Sequence, residues 1–110
     1  MDNITFEEFK KLDLRVAEVK EVEEVEGADR LYKLKVLIGD EERQLIAGIK
    51  NHYAKEQLIG KKIAVITNLE PRTIKGVASH GMLLAASTDD KSALALLVLD
   101  RPLPSGLKIS

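Results

Sequence analysis

Residues 13–25, DLRVAEVKEVEEV, decide the fold. Their apolar positions are Leu14, Val16, Val19, Val22 and Val25, so the spacing changes from two to three along the segment. A spacing of three is compatible with a helix. Four valines are stiff at χ1 and favour extended backbone, and only Asp13 could cap a helix start, so a strand is expected. In a strand the odd spacings mean bulges, and a bulged strand bends sharply. One long bent strand can serve both sheets of a small closed barrel.

The flanking elements agree. On the N-terminal side, Thr5-Phe6-Glu7-Glu8 fits a capping box, with Ile4 and Phe9 placed as a hydrophobic staple, which predicts a helix over 6–12. Phe6 and Phe9 would share a face of that helix, packing rather than stacking on bases. On the C-terminal side, residues 31–38 alternate through Leu34, Val36 and Ile38, Gly39-Asp40 turns the chain, and residues 43–49 return as the second arm of a hairpin. A short helix is expected over 53–59, ended by Gly60. Strands are expected over 62–69, with Ile63, Val65 and Thr67 on one face, and over 82–87. Residues 93–99, ALALLVL, are continuously apolar, so both faces of that strand should be buried.

Three strands, a helix and two strands is the order of a five-stranded Greek-key barrel of the OB type, an all-β fold that often binds oligonucleotides. The chain is expected to be one domain, 1–110, with an N-terminal helix (1–12), a barrel (13–88) and a C-terminal extension (89–110). The extension exceeds what a minimal barrel needs. A second copy is the simplest cover for ALALLVL, with Pro102, Pro104 and Gly106 leading the tail across an interface, so a two-fold homodimer is expected.

Composition narrows the function. A chain of 110 residues with 45% apolar residues has one core and no room for a separate catalytic domain. No apolar run approaches the roughly 20 residues that cross a bilayer, so no membrane partner is expected. The start, MDNITFEEF, lacks a basic region followed by an apolar one, and the absence of cysteine fits a cytoplasmic protein. Two distant histidines, His52 and His80, do not make a zinc site, and no cofactor motif is present. The net charge is −1, so any nucleic-acid surface must be local. Residues 18–26 hold five glutamates and one lysine and read as a solvated strand face. Residues 61–82 carry Lys61, Lys62, Glu70, Arg72 and Lys75, a net of +3.

Within that basic stretch, residues 68–82, NLEPRTIKGVASHGM, combine a Pro turn, two glycines and the potential phosphate or base contacts Asn68, Arg72 and Lys75, with no acid between Arg72 and Met82. Arg72 offers a planar fork for phosphate or for an exposed base, and Lys33 and Lys75 act as point charges. Asn68 both donates and accepts, as a base edge requires, or instead fixes the turn before Pro71. Ser79 offers a compact hydroxyl for phosphate or a ribose 2′-OH. Met82 is either an adaptable apolar platform or a core residue. Only Tyr32 and Tyr53 remain for base stacking, too few for a general single-strand binder. Ser79 and His80 are neighbours whose side chains would diverge on an extended chain, so they form no nucleophile–base pair. No catalytic residue is expected in this chain.

Three stretches in register, 13–19 (DLRVAEV), 27–34 (GADRLYKL) and 68–85 (NLEPR through SHGMLLA), resemble the tRNA-binding domain family. That family includes the C-terminal domain or separate beta subunit of methionyl-tRNA synthetase, freestanding tRNA-binding proteins and domains of multi-synthetase complexes. The resemblance implies an OB-fold module that grips tRNA by shape near its outer corner, raises tRNA affinity for aminoacylation, and dimerises through segments at both chain ends. It places Lys33, Asn68, Arg72, Ser79 and Met82 at RNA-contacting positions, with Arg30 nearby. Thr73 stands where the family usually has a basic residue, which implies modest affinity. The implied partners are tRNA, a second copy and a methionyl-tRNA synthetase catalytic chain. The alternatives are a freestanding tRNA-binding protein and an OB-fold secretion-associated chaperone that binds unfolded polypeptide.

Overall fold

The computed structural model describes all 110 residues. The capping box forms: the Thr5 Oγ1 accepts from the Glu8 N–H at 3.1 Å, and the Glu8 carboxylate accepts from the Thr5 N–H at 3.1 Å. The helix it starts, α1 (Phe6–Phe9), is shorter than predicted and continues only as turns to Leu12. It buries no residue, so no packing energy prolongs it beyond its cap. Phe6 and Phe9 do share a face, with ring centroids 6.4 Å apart, yet Phe6 and Ile4 remain exposed.

β1 (Leu14–Val25) is the long first strand. It pairs antiparallel with β2 (Ala28–Ile38), and the register slips between Val19 and Glu21 and again between Glu24 and Val25. The first slip leaves Lys20 as an extra residue on β1 and explains the step of three from Val19 to Val22; at the second the extra residues, 29–31, lie on β2. Ala17, Val19 and Val22 face the main core, while Val16 is buried on the other side. β2 turns at Gly39-Asp40 into β3 (Glu41–Ala47), so the predicted hairpin is present. The short helix α2 (Lys55–Leu58) seats Leu58 in the core, and β4 (Lys62–Ile66) returns beside β1, with Ile63 and Val65 facing inward.

Two short hairpin strands follow, β5 (Arg72–Ile74) and β6 (Val77–Ser79), then β7 (Met82–Leu83), which pairs with β4. These residues close the barrel. The His80 N–H donates to the Gln44 carbonyl at 2.8 Å, joining this segment to β3, while β7 holds β4. Closure needs a sharp bend between them, made at Gly81 (φ +139°), where a Cβ would lie 3.0 Å from the Ile66 carbonyl oxygen. Ser79 pins that bend: its Oγ accepts from the Ile46 N–H at 3.0 Å and donates to the Gly81 carbonyl at 3.1 Å. The sheet order β3-β2-β1-β4-β7, closed in this way, is the expected all-β OB-type barrel.

The predicted strand 82–87 is broken at Leu84, and its second part, β8 (Ala85–Ser87), pairs with β9 (Leu94–Leu96). The expectation that ALALLVL is buried on both faces fails within one chain. Leu96 is in the core, but Leu97 and Val98 are 47% and 50% exposed. The segment after residue 99 then crosses the β2–β3 turn, with Gly106 in contact with Gly39, and β10 (Lys108–Ile109) pairs with the start of β1. It occupies the edge of β1 that β2 leaves near Glu18. On the same end Thr67 donates to the Asp13 carboxylate at 2.6 Å, and Arg15 pairs with that carboxylate.

Two stability measurements test this account. Ser79→Ala leaves the Ile46 N–H and the Gly81 carbonyl without their partner, and we expect it to lower the unfolding free energy in urea by about 1–3 kcal/mol. The hydrogen bond from Thr67, with a smaller contribution from Arg15, holds the Asp13 carboxyl below its ordinary value. Its contribution is therefore complete above the unfolded pKa of about 3.9 and is lost as pH falls through the lower folded value. Thr67→Val should weaken stability at neutral pH and flatten its fall on acidification below pH 4, read from urea midpoints.

Candidate nucleic-acid interface

Composition marks residues 68–82 as a surface, but not as the hairpin the structure reveals. β5 and β6 are joined by Lys75 and Gly76, with φ of +52° and +78°. Positive φ at both central residues is the turn that matches strand twist. The local signal was present: β-branched Thr73, Ile74 and Val77 flank a two-residue turn ending in Gly. Lys75 replaces the usual Asn or Asp, which obscured it.

Cross-strand register places the candidate cations. Lys33 of β2 lies opposite Ile46 of β3. Ile46 is bonded to Ser79, and Ser79 lies opposite Arg72 of β5. Lys33 and Arg72 are thus connected through Ile46 and Ser79 across β2, β3, β6 and β5. Lys75 projects from the hairpin tip, and Arg30 stands at the start of β2, where its carbonyl accepts from the Lys50 N–H.

Their electrostatic states differ. Arg30, Arg72 and Lys75 are exposed and form no ion pair within the chain. Lys33 is 3.0 Å from the Glu23 carboxylate. It belongs to a ladder across β1 and β2 in which Lys35 pairs with Glu21 and Glu42, and Lys50 with Glu24. Of the five glutamates read as a solvated face, Glu21, Glu23 and Glu24 stay exposed and also pair with these lysines. The Lys50 ammonium lowers the Glu24 carboxyl, and Glu21, with Glu42, raises Lys35. Such exposed pairs are worth little to stability, but each lysine is already neutralised.

Two predicted contacts are committed elsewhere. The Asn68 Oδ1 accepts from the Asp13 N–H at 2.8 Å, and its Nδ2 donates to the Lys11 carbonyl at 2.6 Å, so it ties down the N-terminal segment rather than the turn before Pro71. Ser79 is 6% exposed: its hydroxyl bonds Ile46 and Gly81 and closes the barrel, and the residue also lines, with Arg72, the recess between hairpin and barrel. The tyrosines are no stacking platform. Tyr32 is buried and donates to the Tyr53 carbonyl, and the Tyr53 hydroxyl accepts from the Leu96 N–H.

Met82 is 41% exposed, which settles its alternatives in favour of the surface. It sits on the rim of a cavity of about 210 Å³ between the hairpin and the barrel, floored by Ile46, Ile49, Leu83 and Leu94, with Glu70 and Arg72 also in its wall. A larger groove of about 600 Å³ lies along β3, but there Glu41 and Glu42 offset Arg43 and Lys35.

Comparison with known proteins places this geometry. A family model described as "Putative tRNA binding domain" matches residues 14–108. Methionine–tRNA ligase of Caldanaerobacter subterraneus subsp. tengcongensis is 51% identical over 110 residues, and that of Thermococcus kodakarensis is 50% identical over 109. These matches cover 100% and 99% of the chain but only 17% and 14% of the ligases, so the chain spans less than a fifth of their length. The crystal structure of a MetRS-related protein from Pyrococcus horikoshii superposes with a TM-score of 0.93 at 34% identity, covering 100% of both chains. The chaperone CsaA of Bacillus anthracis superposes with a TM-score of 0.89 at 31% identity, over 99% of this chain and 100% of that one. With barrel and family model in agreement over nearly its whole length, the chain belongs to the tRNA-binding domain family.

Proposed function

We propose that this domain binds tRNA by shape and backbone contacts, largely independent of sequence, and acts as an accessory part of methionine–tRNA ligase. The observation that carries the proposal is the set of exposed, unpaired cations: Arg72 and Lys75 of the β5–β6 hairpin, with Arg30 at the start of β2. Arg72 supplies the planar fork and Lys75 a point charge on a rigid turn. Lys33 joins them when a phosphate displaces Glu23, and Met82 supplies an apolar contact. Asn68 and Ser79 hold the surface in shape. Four contacts of this kind give modest affinity, which suits a module that adds to the grip of a separate catalytic body. In this role it works in the cytoplasm beside the ligase's catalytic chain.

The proposal includes a two-fold homodimer. Leu97, Val98, Leu103 and Leu107 near the C-terminus, and Ile4, Phe6 and Leu12 near the N-terminus, are exposed large apolar residues. Both groups lie in the segments the family resemblance assigns to dimerisation, and isologous pairing would cover them.

The likeness to CsaA supports a second reading, capture of unfolded polypeptide. A salt series separates the two. Phosphate contacts give log K for bulk tRNA falling with log salt at a slope of roughly −3 for four contacts, and Arg72→Ala should lower its magnitude by about one. Salt-indifferent binding, or tighter binding to denatured polypeptide, refutes the tRNA reading. Light scattering at micromolar concentration should give twice the 12.2 kDa of one chain, and a 12.2 kDa species removes the dimer.

A further inference from the structure

We infer that the cavity beneath the β5–β6 hairpin receives one unstacked nucleobase of the bound RNA. This rests on the tRNA-binding reading and specifies what its central pocket holds.

The cavity is small and mostly apolar. Its 210 Å³ is below the roughly 300–1,000 Å³ of pockets for drug-sized ligands, so it suits a single ring system. Its floor is aliphatic, from Ile46, Ile49, Leu83 and Leu94, with Ile74 and Met82 on the hairpin side. A planar base can lie against such side chains as it does against an aromatic one. Three polar side chains line it, and the Ser79 hydroxyl is already bonded to Ile46 and Gly81. Glu70 and Arg72 both reach its wall and form no ion pair with each other, leaving one acceptor and one donor free. A base edge carries both, so Arg72 can donate to a ring nitrogen or carbonyl while Glu70 accepts from an amino or imino group. Charge complementarity then favours a base that brings its own phosphates: Glu70 and Arg72 balance each other in the wall and suit a base edge, while the unpaired Lys75 at the hairpin tip is free for the backbone. The lining contains no aromatic side chain, so the stacking surface offered is the aliphatic wall of this recess.

Two positions in the cavity wall can be enlarged without straining the backbone. Ala85 is exposed on β8, and Gly48 has ordinary φ, with its nearest side-chain atom 3.8 Å from a Cβ built there. Ala85→Leu and Gly48→Val should fill the recess while leaving every charge in place. We expect each to weaken bulk tRNA binding roughly tenfold, within the range for loss of one stacked base, with the salt slope unchanged. In methyl-labelled wild-type protein, bulk tRNA should shift the Ile46, Ile49 and Ile74 δ-methyl signals upfield through the ring current of the base. Salt-dependent, Arg72-dependent binding with those methyls unmoved, and with both variants binding like wild type, overturns the pocket while leaving tRNA binding standing. The same methyl shifts produced by denatured polypeptide but not by tRNA also overturn it. Failure of tRNA to bind at all removes both claims together.

Discussion

Everything in this domain depends on β1 holding different partners along its two edges. Its first half bonds to β4 on one edge and to β10 on the other. Near Glu18 the second edge passes to β2, and the extra residue Lys20 bends β1 just after the change. Without that bend, β2 and β3 could not curve back to meet the segment from Ala78 to Leu83. Closure then depends on few groups: Gly81 makes the corner, Ser79 holds it, and His80 contributes its backbone. The candidate surface and the barrel seam share these residues, so the fold sets the geometry of that surface directly.

Charge is organised by the same register. Along β1 and β2 each lysine faces a glutamate, because Glu21 and Glu23 fall opposite Lys35 and Lys33. The ladder neutralises one wall of the barrel and leaves the hairpin wall positive. A chain with a net charge of −1 can thereby present a cationic surface to RNA. Lys33 stands at the boundary between the two regions, inside the ladder yet connected to Arg72 through Ile46 and Ser79.

The barrel was legible in the sequence because its signals are periodic. Alternation at Leu34 and Val36, the Gly39-Asp40 turn and the irregular valines of β1 each carry their meaning locally. What escaped depended on tertiary partners. Ser79 looks like a loop hydroxyl until Ile46 and Gly81 are seen on either side of it. Asn68 bonds 55 and 57 residues back along the chain, a distance no local pattern encodes. The β5–β6 hairpin lacks the Asn-Gly turn that would have announced it. ALALLVL reads as fully buried because hydropathy reports that a face needs cover, and the lone chain leaves Leu97 and Val98 open.

The crossing of Gly106 over Gly39 carries a wider implication. Backbones in direct contact there, with the Gly106 N–H donating to the Val16 carbonyl, deliver the last residues to the first residues of the barrel. Asn68 fastens residues 11 and 13 at the same end. Residues 108–109 are therefore stitched into the same sheet as residues 14–15, so loosening the Gly39–Gly106 crossing would free an edge of β1 as well as the segment that covers it.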